Sequence, residues 1–594
     1  MAGDHVATIN NSDSPTAVEQ RFRRGIAVVQ NVCVFAMETP PQSAKPLREL
    51  ITQIRKNQSA DGPLKEVKTL HFLSMTVFED ERFDPTFVLE ANFDGAAGPF
   101  WADLEAAIGP QLREILRFGT RPNGLLGDKF DVVTKPDSPA PIAPFLEALA
   151  VSPTAVHQGD RGTSCVQIKQ ETELFGAVQA ALGGSSPLRG DSAEAIHKAL
   201  RAKLIQDHPI LRMPLRLVAR DWSIAPDLLK LLRFVTLIIL ALNVPGLLLA
   251  WIISPLWAAI VFGMATLMLG LILWKDVRNL ATDLKDGGNF FVQGKVIAVA
   301  IGIIALAEIL SAIAVVILHL DIAALAPAHA ALETNTPILG VLSEQLDHIR
   351  TAWKAAEPVQ RLFQVLWAES ITGFQLAGAG VIGAFASALL IVQRLRVLER
   401  QDSSHHQPES DSQIEREIAA LEDRGEQNHM SGLVHIKPGF VRSILMNGGL
   451  NFLGLAIRAN PQSAFDGYLV TVRTIHFAHL TLVSNGARLL FLANFDGTWN
   501  NYLVDFIEKV HTWLTLVWTN GLGFPPTRFF VFDGATHSRL FTNWQRQSMA
   551  PTLYWFRAYP NLSVEQIRRQ GAIADGLRQT SLKPKEAKSW ALLL

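Results

Sequence analysis

Two stretches decide how this chain is read: "LEANFDGAAGPFWADL", Leu89 to Leu104, and "FLANFDGTWNNYLVDF", Phe491 to Phe506. Each carries Ala-Asn-Phe-Asp-Gly where an apolar strand-like run gives way to helical periodicity. Upstream, "TLHFLSMTVF" (Thr69 to Phe78) matches "TIHFAHLTLV" (Thr474 to Val483) at Thr, His, Phe and a later Thr. From His71 to Asn92 is 21 residues and from His476 to Asn494 is 18, a difference that a turn such as "SNGAR" (Ser484 to Arg488) absorbs. Downstream the register returns, with Asp103 nine beyond Asp94 and Asp505 nine beyond Asp496. Order, spacing and residue type shared over about forty positions identify an internal duplication.

The pattern in each copy predicts an α+β fold of the ferredoxin-like (split βαβ) kind. In the first, over 23–135, "VCVFAMET", "HFLSMTVFED" and "TFVLEANF" read as strands, and "AKPLRELITQIRK" and "GPFWADLEAAIGPQLREILRF" as helices. In the second, over 431–580, "LNFLGLAIRA", "IHFAHLTLV" and "RLLFLANF" read as strands and "TWNNYLVDFIEKVHTWLTLVW" as the main helix, with a shorter helix near Pro461 to Tyr468. "RFFVFDG" follows, then a final helix capped by Ser563. Each copy has an uncovered sheet face, and two copies can bury those faces on each other. Residues 1–22 read as a disordered tail without a cleavable signal peptide, 136–226 as a linker and helical segment, 396–430 as a polar linker and 581–594 as a tail.

Between the copies, over 227–395, the expectation is a four-helix transmembrane region. The runs 231–253, 256–274, 296–320 and 371–392 are each long enough to cross a hydrocarbon core of about 30 Å, with 321–369 external. Lys and Arg gather at 212–230, 275–295 and 394–400, which predicts an inner- or plasma-membrane protein, multi-pass, with both termini cytoplasmic and lipid as a partner. Glu308, the only acid in these runs, is a candidate transport group, against the plainer reading of the block as an anchor.

Composition excludes several classes. Lys plus Arg total 54 against 55 Asp plus Glu, a net charge of −1 that argues against a nucleic-acid partner. The two cysteines, Cys33 and Cys165, argue against a disulfide framework or a Cys-based zinc site. The chain carries no Walker loop, Rossmann fingerprint, His-Glu-x-x-His or Gly-x-Ser-x-Gly.

Alternation puts His71, Leu73, Met75 and Val77 on one strand face, and His476, Ala478, Leu480 and Leu482 on its counterpart. Each histidine is either a hydrogen-bonded core residue or a ligand facing a cavity. Asp94 and Asp496 are either caps of the helix that follows or acid/base groups at a pocket mouth, Gly95 and Gly497 supply the positive φ, and Phe93 and Phe495 point into the core.

A strand, then Phe-Asp-Gly-Thr, then a helix, in paired ferredoxin-like domains, resembles the dye-decolourising peroxidases and the wider dimeric α+β barrel group that includes chlorite dismutases. The resemblance covers about a quarter of the chain and implies a haem, a distal Asp from Gly-x-x-Asp-Gly, a distal Arg and an iron-ligating His. Asp496 and Gly497 match the motif's last two positions, as do Asp94 and Gly95, while Ala493 and Ala91 replace its first Gly. On this resemblance Arg488 is the distal-Arg candidate, and His476, His511, His537 and His71 are the haem-binding candidates. Two functions therefore stand: a membrane-anchored ligand-binding or scaffold module taking a small apolar ligand, or a haem-dependent peroxidase-like oxidoreductase acting on peroxide. A homo-oligomer is compatible with both.

Overall fold

The computed structural model describes residues 28–57, 62–79, 83–183, 192–213, 386, 389–402, 412–421, 425–459, 469 and 472–594. The first copy supplies β1 (Gln30–Glu38), α1 (Pro41–Asn57), β2 (Leu70–Phe78), β3 (Thr86–Asp94) and α2 (Ala97–Leu116). The stretch read as linker then forms α3 (Leu125–Val133), α4 (Ala143–Leu149), β4 (Ala150–Val151), β5 (Ala155–Gln158), α5 (Cys165–Leu182) and α6 (Ala193–Leu204). After α7 (Ser412–Leu421), the second copy supplies β6 (Gln427–His435), α8 (Phe440–Ala459), β7 (Ile475–Val483), β8 (Arg488–Asp496) and α9 (Trp499–Trp518). It ends with the short pair β9 (Thr527–Arg528) and β10 (Phe532–Asp533), then α10 (Ser538–Gln547), β11 (Thr552–Arg557), α11 (Val564–Arg578) and α12 (Pro584–Ala591).

The chain divides into two compact units, one of Met1–Ser223, Ser404–Thr527 and Val531–Leu594, the other of Ile224–Ser403 with Arg528–Phe530. Both copies belong to the first. In the second, Glu399 accepts the backbone N–H groups of Phe529 and Phe530.

Within the first unit the antiparallel sheets run β11-β2-β3-β1-β4 and β5-β7-β8-β6. Each copy lends its last strand to the other: β11 pairs with β2, and β5 pairs with β7. The lending segments also touch their own copy. β4 pairs with β1, while Leu433 and Ala550 join β6 to the start of the β11 segment through Ser548 and Ser431. The strand pairings therefore close into a ring, β2-β3-β1-(150–158)-β7-β8-β6-(548–557)-β2, which leaves no long edge unpaired.

The helices cover the outside. In copy 1, Leu47 and Ile51 of α1, Trp101 and Leu104 of α2, and Phe145 of α4 bury against the sheet; in copy 2, Met446 and Leu450 of α8, Phe506 of α9 and Trp544 of α10 do so. Inside the ring, the two sheet faces meet through Val34, Val88, Leu490 and Leu492 at one end, and through Val32, Phe72, Phe477 and Tyr559 at the other. A fully buried phenylalanine such as Phe72 stabilises by about 2–3 kcal/mol relative to an exposed one. α5, α6, α11 and α12 add a separate apolar layer centred on Leu174, Leu200, Leu577 and Trp590.

Two expectations are corrected. Among the described residues no helix is long and apolar enough to cross a membrane, which overturns the transmembrane helices and with them the multi-pass membrane placement and its cytoplasmic termini. The long helices α2 and α9 are amphipathic, each laying one side on a sheet and exposing charge on the other, Asp103 and Glu114 in α2, Glu508 and Lys509 in α9. The runs 231–253, 256–274 and 296–320, Glu308 and the segment 321–369 lie outside the described residues, as does 371–392 except for 386 and 389–392. Second, "LNFLGLAIRA" belongs to helix α8, and the strand at that place is β6, "QNHMSGLVH". A short apolar run fits a buried helix as well as a strand, and β6 hides its polar residues inside the ring. The expected helix near Pro461 to Tyr468 lies outside the described residues.

Candidate functional site

The strand-to-helix corners of the two copies are the same structure built twice. Gln30 pairs with Asp94 in β1–β3, and Gln427 pairs with Asp496 in β6–β8. In β2 the register shifts between Leu70 and Phe72, and in β7 between Ile475 and Phe477, so that His71 and His476 are each the extra residue of a bulge. Such a bulge re-aims a side chain. It takes His71 away from the face of Leu73, Met75 and Val77 and turns it toward Tyr559 and Phe477 inside the ring, and His476 moves likewise toward Phe72.

There each histidine meets its own copy's aspartate. His71 Nε2 is 2.9 Å from Asp94 Oδ1, and His476 Nε2 is 2.7 Å from Asp496 Oδ1. The second carboxylate oxygen accepts the first backbone N–H of a distant helix: Cys165 of α5 at 2.7 Å for Asp94, and Val564 of α11 at 2.8 Å for Asp496. Both aspartates thus bind a helix start, but not that of the helix following them in the chain. α9 is capped by Thr498, and α2 begins at Ala96 without a side-chain cap. Gly95 and Gly497 have φ of 86° and 81°, a region a side chain disfavours. Phe93 stacks on Phe100 and Phe495 on Tyr502, both pairs in the cores outside the ring.

The remaining candidates lie elsewhere. Arg488 begins β8 while Asp496 ends it, about 26 Å apart along an extended strand. Its guanidinium bonds Ser484 and lies over the Phe83 ring. His511 on α9 and His537 before α10 are exposed. The residues do not fit a haem. Both nitrogens of His71 are engaged, Nδ1 lying 2.8 Å from Tyr559 Oη and Nε2 2.9 Å from Asp94 Oδ1. The rings of Phe72 and Tyr559 crowd His476 at 5.3 and 6.0 Å between centroids. Iron ligation through Nε2 of either would break its bond to the aspartate that receives a helix start. Among the described residues no cluster of His, Cys, Asp and Glu could hold a metal ion.

The duplication exposes a feature that sequence reading missed. Glu90, fully buried, aligns with Leu492; His479 aligns with Ser74, and His429 with Val32. One carboxylate therefore sits inside the ring between two imidazoles of the other copy, His429 Nε2 at 2.9 Å and His479 Nε2 at 3.1 Å. Ser74, Asn92 and Asn494 also donate to it. Burial alone would raise its pKa, but the hydrogen bonds and charges of His429 and His479 outweigh that and hold the carboxyl well below the usual range. The signal was a glutamate in the middle of "TFVLEANF" where "RLLFLANF" has leucine.

Copy 2 also contains a cavity of about 280 Å³ between its sheet and α8, α9 and α10. Phe491, Phe506, Trp513, Leu514, Trp518 and Phe541 are among its lining residues. Counting from Asp-Gly, Tyr502 and Leu503 stand where copy 1 has Phe100 and Trp101. Trp101 is fully buried in the copy 1 core, so the smaller Leu503 leaves room that its counterpart fills. Tyr502 is among the lining residues; its hydroxyl is buried without a hydrogen-bond partner among the described residues, and burial pushes its pKa well up, so it remains a neutral phenol.

The chain matches no family model, no curated protein and no solved structure. The functional reading therefore rests on these residues alone.

Proposed function

We propose that this protein is a small-molecule-binding module whose second copy takes up a compact, largely apolar ligand bearing one polar group. The observation that carries it is the cavity of about 280 Å³ in copy 2, whose wall includes Tyr502, a residue with a buried hydroxyl that has no partner among the described residues and that a small shift of the ring would offer to a guest. An apolar cavity of about half that volume accepts a benzene-sized guest, so one or two fused rings fit here. An unpaired buried hydroxyl is expensive, on the order of 1–3 kcal/mol, and a ligand that pairs it recovers part of that. Two copies of one fold then have different duties: the first is filled solid and stiffens the ring, and the second binds.

The test is thermal stability of the full chain titrated with 1-naphthol, a neutral two-ring probe with one hydroxyl. Ligand at a hundredfold excess over Kd stabilises by about 2.7 kcal/mol, visible as a saturable rise in Tm. Leu503→Trp, which installs the residue of copy 1, abolishes the response, and Tyr502→Phe weakens binding about five- to tenfold. No saturable rise in the parent protein, or an equal rise in Leu503→Trp, overturns the reading.

A further inference from the structure

A second pocket, of about 200 Å³, lies at the seam where β11 of copy 2 crosses onto the first sheet. Arg557, Trp555, Arg55, His429 and Asn428 line it on the polar side, and Ile418 and Leu421 of α7 on the apolar side. Arg557 is partly withdrawn from water, its guanidinium lying 4.5 Å from the centre of the Trp555 ring. Desolvation pushes its pKa down. Yet neither Arg557 nor Arg55 forms a salt bridge with a described residue. Among the described acids, Glu417 pairs with Arg48, and Glu90 with His429 and His479.

The duplication supplies an internal control. In the strand register Arg557 corresponds to Gln158, Trp555 to Val156 and His429 to Val32. Gln158 donates to the backbone of Gln30. The fold thus needs no cation at this place, since its other half is built without one. A withdrawn guanidinium without a carboxylate is unfavourable by itself and becomes favourable when an oxyanion pairs with it. The planar fork of Arg557, held against an indole, suits two oxygens of one acceptor.

We infer that this seam pocket is an anion-binding site, in which Arg557 and Arg55 hold the oxygens of a small oxyanion and Ile418 and Leu421 contact any apolar remainder. The site is separate from the copy 2 cavity, with which it shares no lining residue.

Calorimetric titration of the full chain with butanoate and with inorganic phosphate, each against sodium chloride of matched ionic strength, tests it. Saturable binding of either probe, weakened at least about tenfold in Arg557→Gln and unchanged in the exposed Asp103→Ala, supports the site. Tighter butanoate assigns a carboxylate with an apolar tail, and tighter phosphate assigns a phosphate group. Far-UV circular dichroism checks that Arg557→Gln folds, and should it not, Arg55→Gln serves the same comparison. Absence of saturable binding by both probes, or binding that neither arginine variant weakens, overturns the inference.

Discussion

Replacing Glu90 with leucine, the residue its counterpart position already holds at 492, is predicted to destabilise the protein severely. The carboxylate accepts five hydrogen bonds, from Ser74, Asn92, His429, His479 and Asn494. Removing it leaves two imidazole N–H groups, two amides and a hydroxyl buried inside the ring without their acceptor, each worth about 1 kcal/mol or more. Leucine recovers some apolar burial, so the net loss is about 3–5 kcal/mol, the size expected when one partner leaves a buried charged pair. The triple variant Glu90→Leu, His429→Val, His479→Ser gives each position its counterpart's residue and removes the two stranded imidazoles with the acceptor. It should return to within about 2 kcal/mol of the parent. Urea unfolding followed by circular dichroism measures both. The reasoning fails if the single variant loses less than about 1 kcal/mol, or if the triple variant is no more stable than the single. The pH dependence carries the same sign. Glu90's pKa is lowered on folding, so its stabilisation is complete above the unfolded value of about 4.3 and is lost as pH falls below it. Glu90→Gln lacks that part of the acid-induced loss.

The duplicated corners should respond alike. Asp94→Ala and Asp496→Ala each strand a histidine and a helix-start N–H, which predicts a loss of about 2–4 kcal/mol for either in urea unfolding. The exposed Asp103→Ala should stay within about 0.5 kcal/mol. Burial pushes the Cys165 thiol up to about 12, with Lys169 pulling the other way, and the Cys33 thiol up to about 11, with the charge of Glu147 adding to it. Since the thiolate is the reactive form, a disulfide reagent at about pH 8 should label neither until urea unfolds the chain.

Much of the framework was legible because the chain states it twice. The Asn-Phe-Asp-Gly corners, the His-Phe strands and the nine-residue step to Asp103 and Asp505 fixed the two copies before any coordinates. What the duplication could not say was where each copy ends. β5 and β11 are lent across to the other sheet, and strand exchange over hundreds of residues leaves no local periodicity to read. β6 is hidden for a different reason: a strand with both faces buried and polar residues turned inward has no alternation, so its polar composition places His429 in the linker. Alternation also misplaced His71 and His476, because one extra residue in a bulge reverses which face follows. Glu90 was visible in the comparison of the copies, once difference rather than likeness was sought. The cavity beside Tyr502 and Leu503 is of the same kind, a departure from Phe100 and Trp101.

The central claim is that this departure makes copy 2 a binding site. Isothermal titration of 1-naphthol into the parent protein and into Leu503→Trp, repeated at two temperatures, tests it most directly. The account predicts one-to-one binding with a negative heat-capacity change in the parent and no saturable heat in the variant. Matching isotherms for the two proteins would contradict it.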